Sequence, residues 1–473
     1  MSEAAKEVKN PIQEIVQPFK DLVHAPRALW GINFSYFIEG FVYFGMLGYM
    51  THFFSQFVLL NDTQAGWMTT LLTAGITISM FFFGGISDKF GVRKALLGAL
   101  GLMLIGRAII SLATGMAGGW LGAAHLLSMA GIGVIVIGYG MYQPAAYSAV
   151  KQFTTEKNSA MGYAMLYALM NLGGWLPSFF PKVRETIGID GAYWVFTALT
   201  GVGLVVTFFL LSRKIVDQTI ARMADARKLE AQEKRAAAIA AGENPGEEKA
   251  EEDKSAETPK GRRSVGQWLK EHPLADIKFS FFIFSLIPVQ TLFAYNWLVL
   301  PKYVERAYAG TWIGKNFETA VNFNPLLIFI LVPIVTALTQ KKKVYNMMIL
   351  GTAVMAAPTF LLALGANFYT LVGYLVIMTI GEAMWQPRFL QYAAEIAPPG
   401  RTGAYMGVAQ LPWFLTKMIA GIYSGWFLMK YCPEAGSLNT EFMWLVFGCI
   451  AMVSPILLIA TKGWLGKDFK SKA

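Results

Sequence analysis

Charged residues are scarce in this sequence, and their scarcity excludes a soluble protein. Asp, Glu, Lys and Arg make up 15% of the 473 residues, whereas soluble domains carry about 25%. A soluble chain of this length folds into about two to four domains with polar surfaces, and this composition cannot cover them. Because 55% of the residues are hydrophobic, lipid is the solvent for most of the chain.

Cysteine and histidine are also rare, which excludes two kinds of site. Cys432 and Cys449 are too few for a disulfide framework and have no metal-ligand spacing. The 4 histidines are scattered, so no metal site and no cofactor are predicted. A net charge of +10 would suggest nucleic acid as the partner of a soluble protein. Here the basic residues lie between apolar segments, where they orient membrane proteins, so membrane lipid is the expected partner.

Apolar stretches long enough to cross ~30 Å of hydrocarbon occur about twelve times. Six precede a hydrophilic linker at 213–273, and six follow it. The predicted spans 1 to 6 are 28–57, 64–86, 95–114, 119–149, 159–181 and 191–212. The predicted spans 7 to 12 are 275–305, 321–340, 344–364, 368–397, 401–429 and 438–461. The chain therefore divides into a segment 1–27, bundles at 28–212 and 274–462, the charged linker, and a tail at 463–473.

The basic residues between the spans predict the orientation. Lys89, Arg93, Lys94, Lys151 and Lys157 lie in loops that share one side of the membrane with the linker, and such an excess marks the cytoplasmic side. We therefore expect both termini in the cytoplasm and the protein in the cell (inner) membrane. Segment 1–27 lacks the apolar core of a signal peptide, and its helical spacing of apolar residues predicts a helix lying along the membrane surface.

The two halves carry an internal repeat. Met141-Tyr142-Gln143-Pro144 in span 4 recurs as Met384-Trp385-Gln386-Pro387 in span 10. The repeat predicts two six-helix bundles related by a pseudo-two-fold axis, in an all-α membrane protein of twelve transmembrane helices. Proteins built in this way bind their ligands near the midplane between the halves.

The loop between spans 2 and 3 resembles the signature loop of the major facilitator superfamily. It reads Gly84-Gly85-Ile86-Ser87-Asp88-Lys89-Phe90-Gly91-Val92-Arg93-Lys94. The glycines allow close helix approach and a tight turn, and Asp88 can pair with a cation or cap a helix. Lys89, Arg93 and Lys94 hold the loop in the cytoplasm. The resemblance implies the major facilitator fold and a gating or structural role for this loop.

Four further segments resemble the proton-coupled oligopeptide transporters. They are Glu39-Gly40-Phe41-Val42-Tyr43-Phe44-Gly45, Asn171-Leu172-Gly173-Gly174, Asn324-Pro325-Leu326 and Gly381-Glu382 with Pro387. The sequence departs from the family at Tyr36, Gly40 and Gln143, where the family has a Glu, an Arg and a Lys. In the family those cations are linked to the peptide carboxylate and to proton coupling, whereas the span-10 Glu, here Glu382, holds the peptide amine. A non-peptide metabolite or a drug-like amphiphile, carried by antiport, is therefore the alternative substrate class.

Five ionisable residues lie well inside the spans: Glu39, Arg107, Glu382, Arg388 and Lys417. Each costs at least ~2.5 kcal/mol at membrane depth and usually faces the bundle interior or an aqueous cavity. Glu382 and Lys417 lie at about the same depth. We expect them to alternate between pairing with each other and binding substrate or a proton; the alternative is a fixed pair that braces spans 10 and 11.

The other three ionisable residues have separate expected roles. Glu39 is expected to couple protons or contact substrate. Arg107 lies in a supporting span, where a structural partner role is favoured. Arg388 is expected either to replace the missing carboxylate-binding cations or to serve an inner gate.

Uncharged polar and aromatic residues complete the predicted site. Gln290, Tyr295, Asn296 and Trp297 in span 7 suit an amphipathic solute, although Trp and Tyr also anchor spans at interfaces. Gln143 and Gln386 precede prolines, so each either binds substrate or satisfies a kink. The predicted substrate contacts are Glu39, Tyr43, Gln143, Asn171, Gln290, Tyr295, Trp297, Asn324, Glu382, Trp385, Arg388 and Lys417.

These features predict a secondary active transporter for a small peptide, peptide-like or amphipathic solute. It is expected to work by alternating access, with the proton as coupling ion, and as a monomer. The sequence contains no phosphate-binding loop of an ATP-driven pump, no catalytic cluster of a membrane enzyme, and no filter loop of a channel. A non-transporting receptor is the remaining alternative.

Overall fold

The computed structural model describes residues 20, 25–240, 272–339, 341–398 and 400–465. Within these ranges the chain is helical and contains no strand. The predicted surface helix in segment 1–27 falls almost entirely outside the described residues, as do 241–271 of the linker and 466–473 of the tail.

Eight α-helices form the first half and the linker helix. They are α1 (Arg27–Gln56), α2 (Asp62–Phe83), α3 (Ile86–Phe90), α4 (Val92–Leu112), α5 (Ala123–Phe153), α6 (Ser159–Trp175), α7 (Pro181–Leu210) and the linker helix α8 (Arg213–Ala240). Local chemistry sets several of the ends. Asn61 and Gln64 form a reciprocal capping box at the start of α2, and Gly91 adopts φ +82° at the turn between α3 and α4, a conformation that favours glycine.

The second half contains twelve further α-helices, several of them short. They are α9 (Ile277–Ser285), α10 (Ile287–Leu298), α11 (Leu300–Ala307), α12 (Trp312–Lys315), α13 (Phe317–Thr339), α14 (Val344–Ala356), α15 (Thr359–Leu362), α16 (Phe368–Glu395), α17 (Thr402–Val408), α18 (Leu411–Tyr431), α19 (Thr440–Ala460) and α20 (Lys462–Leu465).

The predicted spans 7, 9 and 11 contain breaks in the helix, although 277–296 and 344–362 remain long and apolar enough to cross a membrane. Span 7 divides into α9, α10 and α11, span 9 into α14 and α15, and span 11 into α17 and α18. Pro288, Pro301, Pro358 and Pro412 lie at or next to the starts of the later pieces. Proline lacks an N–H and clashes with the preceding turn, so it is accommodated at the start of a helix rather than inside it.

Eight helical segments in the described ranges are long and apolar enough to cross a membrane. They are 92–112, 123–153, 183–210, 277–296, 322–339, 344–362, 368–395 and 440–460. The chain is therefore a multi-pass membrane protein, whereas the count of twelve spans stays a prediction.

The helices of the two halves pack in the same pattern. In the first half α1 packs on α6 and α7, and α4 packs on α5 and α7. In the second half α10 packs on α18 and α19, and α14 packs on α16 and α19. This parallel agrees with the internal repeat at Gln143-Pro144 and Gln386-Pro387.

The halves meet where α6 packs on α13 and α16, and where α17 packs on α2, α3 and α5. Glycine permits the closest of these approaches. A Cβ added at Gly84 would lie 2.9 Å from the carbonyl oxygen of Gly403, and one at Gly407 would lie 2.4 Å from that of Met80. We call the end of the bundle that holds this crossing and helix α8 the linker end.

Candidate functional site

Glu382 is the centre of a hydrogen-bond network that joins the two halves. The Tyr167 hydroxyl on α6 donates to Glu382 Oε1 at 2.5 Å. Asn324 Nδ2 on α13 donates to Glu382 Oε2 at 2.8 Å and to Thr379 Oγ1 at 3.0 Å. Glu382 is 1% exposed, so both carboxylate oxygens are bonded and shielded from water.

Lys417 does not pair with Glu382 in this conformation, so the expected pair is absent from the structure. Lys417 is exposed, and its Nζ lies 5.1 Å from the centre of the Trp413 ring. No carboxylate in the described part of the chain forms an ion pair with it. The equal depth predicted from helical rise ignores the direction of the side chains, and Glu382 is held toward α6 and α13.

Glu39 forms a buried ion pair with Arg107 instead of opening onto a cavity. Arg107 Nη1 donates to Glu39 Oε2 at 2.9 Å and to Thr200 Oγ1 at 2.6 Å, and Nη2 bonds the other carboxylate oxygen. The Tyr139 hydroxyl also donates to Glu39. Glu39 and Arg107 are each 1% exposed. Arg107 thus has the structural partner that was expected, and Glu39 is out of reach of a substrate in this conformation.

The other predicted residues of the first half lie in different surroundings. Tyr43 is half-buried, and its ring lies 5.1 Å from that of Tyr139. Gln143 is also half-buried. Asn171 is half-buried, and its Nδ2 donates to the carbonyl oxygen of Tyr167 at 3.0 Å.

The predicted lining of span 7 is mostly packed inside the second half. Tyr295 is 0% exposed, stacks on Phe447 and shares a hydrogen bond with the Tyr423 hydroxyl. Gln290 is buried and accepts from Thr416 Oγ1 at 3.4 Å. Tyr295 is therefore a packing residue here. The side chain of Trp297 lies outside the described residues.

Trp385 and Arg388 are buried as well. Trp385 is 0% exposed, and its Nε1 donates to Met355 Sδ at 3.1 Å. In this conformation the ring is packed against α14, and its expected substrate contact stays a prediction. Arg388 is 2% exposed, and its Nη1 donates to Gln391 Oε1 at 2.9 Å, while Nε and Nη2 have no hydrogen-bond partner among the described residues.

Polar contacts across the linker end join the loop at 84–94, α5 and the start of α6 to the second half. The backbone N–H groups of Gly403 and Ala404 donate to Asp88 at 2.9 and 3.0 Å. Asp88 therefore caps α17, one of the two roles predicted for it. Lys151 Nζ donates to the carbonyl oxygen of Ala394 at 2.6 Å, and Gln391 Nε2 to Ser159 Oγ at 3.3 Å.

The three basic residues of the same loop make no such hydrogen bond to the residues of the second half that the structure describes. Lys89 and Lys94 are exposed, and Lys89 lies 5.2 Å from the centre of the Phe90 ring. Arg93 Nε donates to the carbonyl oxygen of Leu211 at 2.5 Å, within the first half.

Sequence reasoning missed Tyr167, Tyr139 and Thr200. Tyr167 lies mid-span, one turn before Asn171, and a search for polar residues at the depth of Glu382 would have found it. Tyr139 and Thr200 become visible only when the helices are packed, because their partners are 100 and 93 residues away in the chain.

Comparisons with known proteins decide the family. The sequence model of the Major Facilitator Superfamily matches residues 29–421. The chain belongs to this superfamily. It is therefore a membrane transporter of the major facilitator fold rather than an enzyme.

The resemblance of this transporter to the oligopeptide family is confirmed. It is 26% identical over 192 residues to dipeptide and tripeptide permease B of Edwardsiella piscicida. That match covers 40% of this chain and 37% of the length of that permease. It is also similar to a crystal structure of the peptide transporter POT in complex with sulfate, with 19% identity, a TM-score of 0.53, and 93% and 95% of the two chains covered.

Other solved transporters share the fold of this transporter. The proton:xylose symporter XylE is 14% identical with a TM-score of 0.63, and 92% and 96% of the two chains are covered. The human organic anion transporter MFSD10 is 13% identical with a TM-score of 0.58, and 91% and 99% are covered. At these identities the likeness establishes the fold alone.

Proposed function

We propose that this chain is a proton-coupled secondary active transporter that moves a small peptide-like or amphipathic organic solute by alternating access. The hydrogen bond between Tyr167 and Glu382 carries the proposal, because it joins the halves at mid-depth through a group that can bind a proton. Polar contacts between described residues of the halves also occur toward the linker end, at Asp88, Lys151 and Gln391. Helix α1 of the first half and helix α10 of the second do not pack extensively on each other within the described ranges.

Protonation of Glu382 weakens the bond between the halves. Asn324 Nδ2 can only donate, so an added proton must sit on Oε1, where the Tyr167 hydroxyl would have to turn and accept. A charge-assisted hydrogen bond is about twice as strong as a neutral one. Proton binding therefore biases the equilibrium between conformations in which the halves are joined or separated at this depth.

The surroundings of Gly40 favour a solute other than a simple peptide. A Cβ at Gly40 would lie 2.8 Å from the carbonyl oxygen of Met170, so the place of the family's arginine is closed by α6. Tyr36 occupies the position of the family's first glutamate. Its hydroxyl donates a hydrogen bond to the Tyr147 hydroxyl at 3.0 Å. The first half therefore lacks the carboxylate-binding charges that the resemblance implies for peptides.

Counterflow in proteoliposomes tests the transport proposal. Purified protein is reconstituted with unlabelled N-benzoylglycine or phenylalanylglycine inside, and the same compound, radiolabelled, outside. A carrier exchanges one of them faster than empty liposomes do, and internal pyranine reports acidification when net uptake is allowed. Exchange equal to that of empty liposomes for both would contradict this transport proposal. Exchange without proton entry would contradict the coupling.

Asp88 gives the linker end its own pH dependence. Burial raises the pKa of Asp88 from 3.8 to about 6, against the opposing effect of the Gly403 and Ala404 N–H groups and of the cations Arg401 and Lys151. Since the buried carboxyl binds a proton at a higher pH than an exposed one, the closed linker end gains stability as pH falls through 6 toward 4. Between pH 7 and 5 the ratio of closed to open molecules should rise by at most about tenfold, because pH 5 lies about one unit below the pKa of Asp88 in the closed form.

Spin labels at Lys94→Cys and Lys342→Cys measure this change as a distance distribution. The labelled protein also carries Cys432→Ser and Cys449→Ser. The short-distance population should grow on acidification and should stay constant in the Asp88→Asn control. An equal response in the control would assign the pH dependence to another group. We further propose that the linker end faces the cytoplasm and that the transporter acts as a monomer.

A further inference from the structure

Lys417 lies on a stripe of α18 that differs from its lipid-facing surface. Met418, Ile422 and Met429 form an apolar stripe with exposures of 49%, 77% and 72%. Lys417, Gly421 and Gly425 recur at every fourth residue on a separate stripe, about 80° away at about 100° per residue. A Cβ at Gly421 or Gly425 would meet no atom within 4 Å, and Lys417 is itself exposed, so this stripe is open along its length, beside the exposed apolar stripe.

The neighbours of Lys417 place this stripe beside α10. Thr416 donates to Gln290, and the Trp413 ring lies 4.8 Å from that of Phe293. Phe293 in turn lies 6.2 Å from Trp385. Phe293 and Trp385 are buried, so Trp413, which is half-buried, is the ring of this cluster that can pack against an apolar group of a ligand.

Lys417 is the charged group that a ligand can reach at this depth in the described part of the chain. Glu382 is closed by Tyr167 and Asn324. Glu39 and Arg107 neutralise each other in the first half, and Arg388 is 2% exposed. An exposed ammonium at membrane depth is costly unless water or an anion solvates it. The charge available to a ligand in this conformation is thus positive.

We propose that Lys417 and Trp413 bind the carboxylate of an aromatic or apolar organic anion, and that this ligand needs no amine. The inference rests on the proposed transport function and names the substrate class of the same site. The ammonium binds the carboxylate, and the half-buried ring of Trp413, which packs on Phe293, contacts the apolar part. A free amine contributes little, since the carboxylate that would bind it is already occupied by Tyr167 and Asn324.

Thermal unfolding in detergent with three matched compounds tests the proposal. N-Benzoylglycine has a carboxylate and no amine, N-benzoylglycinamide is its neutral analogue, and phenylalanylglycine adds the amine. N-Benzoylglycine should raise the Tm, N-benzoylglycinamide should not, and phenylalanylglycine should bind no more tightly than N-benzoylglycine. Lys417→Gln should weaken binding of N-benzoylglycine by about tenfold to a hundredfold, the range for a hydrogen bond to a charged group.

Lys430 provides the matched control because it lies on the same helix, also over a tryptophan ring, 4.8 Å from the centre of Trp426. Lys430→Gln should bind N-benzoylglycine as the unchanged protein does, and Lys417→Arg should retain binding. Equal binding of the amide, unchanged binding in Lys417→Gln, or a strong preference for phenylalanylglycine would overturn the proposal. If Lys417→Gln does not fold, the comparison of compounds and Lys417→Arg still decide. If binding depends on Lys417 but no counterflow is measured, the transport function is contradicted while the binding proposal stands.

Discussion

Replacing Arg107 by methionine should lower the free energy of unfolding by about 3–5 kcal/mol, the cost of breaking a buried ion pair. The substitution leaves Glu39, which is 1% exposed, as an unpaired charge with the Tyr139 hydroxyl as its remaining hydrogen-bond donor. Thr200 also loses its guanidinium donor. Equilibrium unfolding in mixed micelles measures the change.

The matched control is the ion pair between Lys157 and Glu233, whose side chains are 62% and 58% exposed. Lys157→Met should cost about 1 kcal/mol or less because water and salt screen an exposed pair. The double variant Glu39→Met with Arg107→Met should recover most of the stability, since no uncompensated charge remains. A double variant as unstable as Arg107→Met alone would show that the pair is not the source of the loss.

Glu382→Gln should abolish proton-driven accumulation while leaving exchange measurable. Glutamine keeps the shape and can still bond Tyr167 and Asn324, but it binds no proton at physiological pH. Under an imposed pH gradient, uptake of the probe that the unchanged protein exchanges should fall by about tenfold or more, within the usual range of coupling between two sites.

Tyr167→Phe is the companion variant for this experiment. It removes the bond between the halves and keeps the carboxylate, so accumulation should persist while its pH dependence shifts. If Glu382→Gln accumulated solute as well as the unchanged protein does, the proton would have to bind elsewhere, and the role of Glu382 would be limited to joining the halves.

Features that depend on short stretches of sequence were predictable. Gly84 and Asp88 were identified from one loop, and the structure assigns them close helix approach and a cap on α17. The helical fold followed from the length and composition of the apolar stretches, because a backbone in lipid must satisfy its own hydrogen bonds. The breaks in spans 7, 9 and 11 were not predicted, because proline alone does not locate a break: Pro144 and Pro387 lie inside continuous helices.

The candidate site was less predictable because depth along a helix does not give direction around it. Glu382 and Lys417 share a depth, yet one bonds to α6 and α13 and the other opens away from them. Trp385 and Tyr295 look like lining by composition, but both are packed in the core of the second half. Their orientation depends on which helices surround them, and no pattern within a single span contains that information.

The uneven distribution of charge between the halves has a consequence for the transport cycle. The ionisable groups at mid-depth in the first half, Glu39 and Arg107, neutralise each other, whereas Glu382 and Lys417 both belong to the second. A solute bound at Lys417 would stay attached to the second half during the cycle, while the first half moves relative to it and opens or closes access. Substitutions in the first half would then alter the turnover rate. Substitutions beside Lys417 in the second half would alter which solutes are carried.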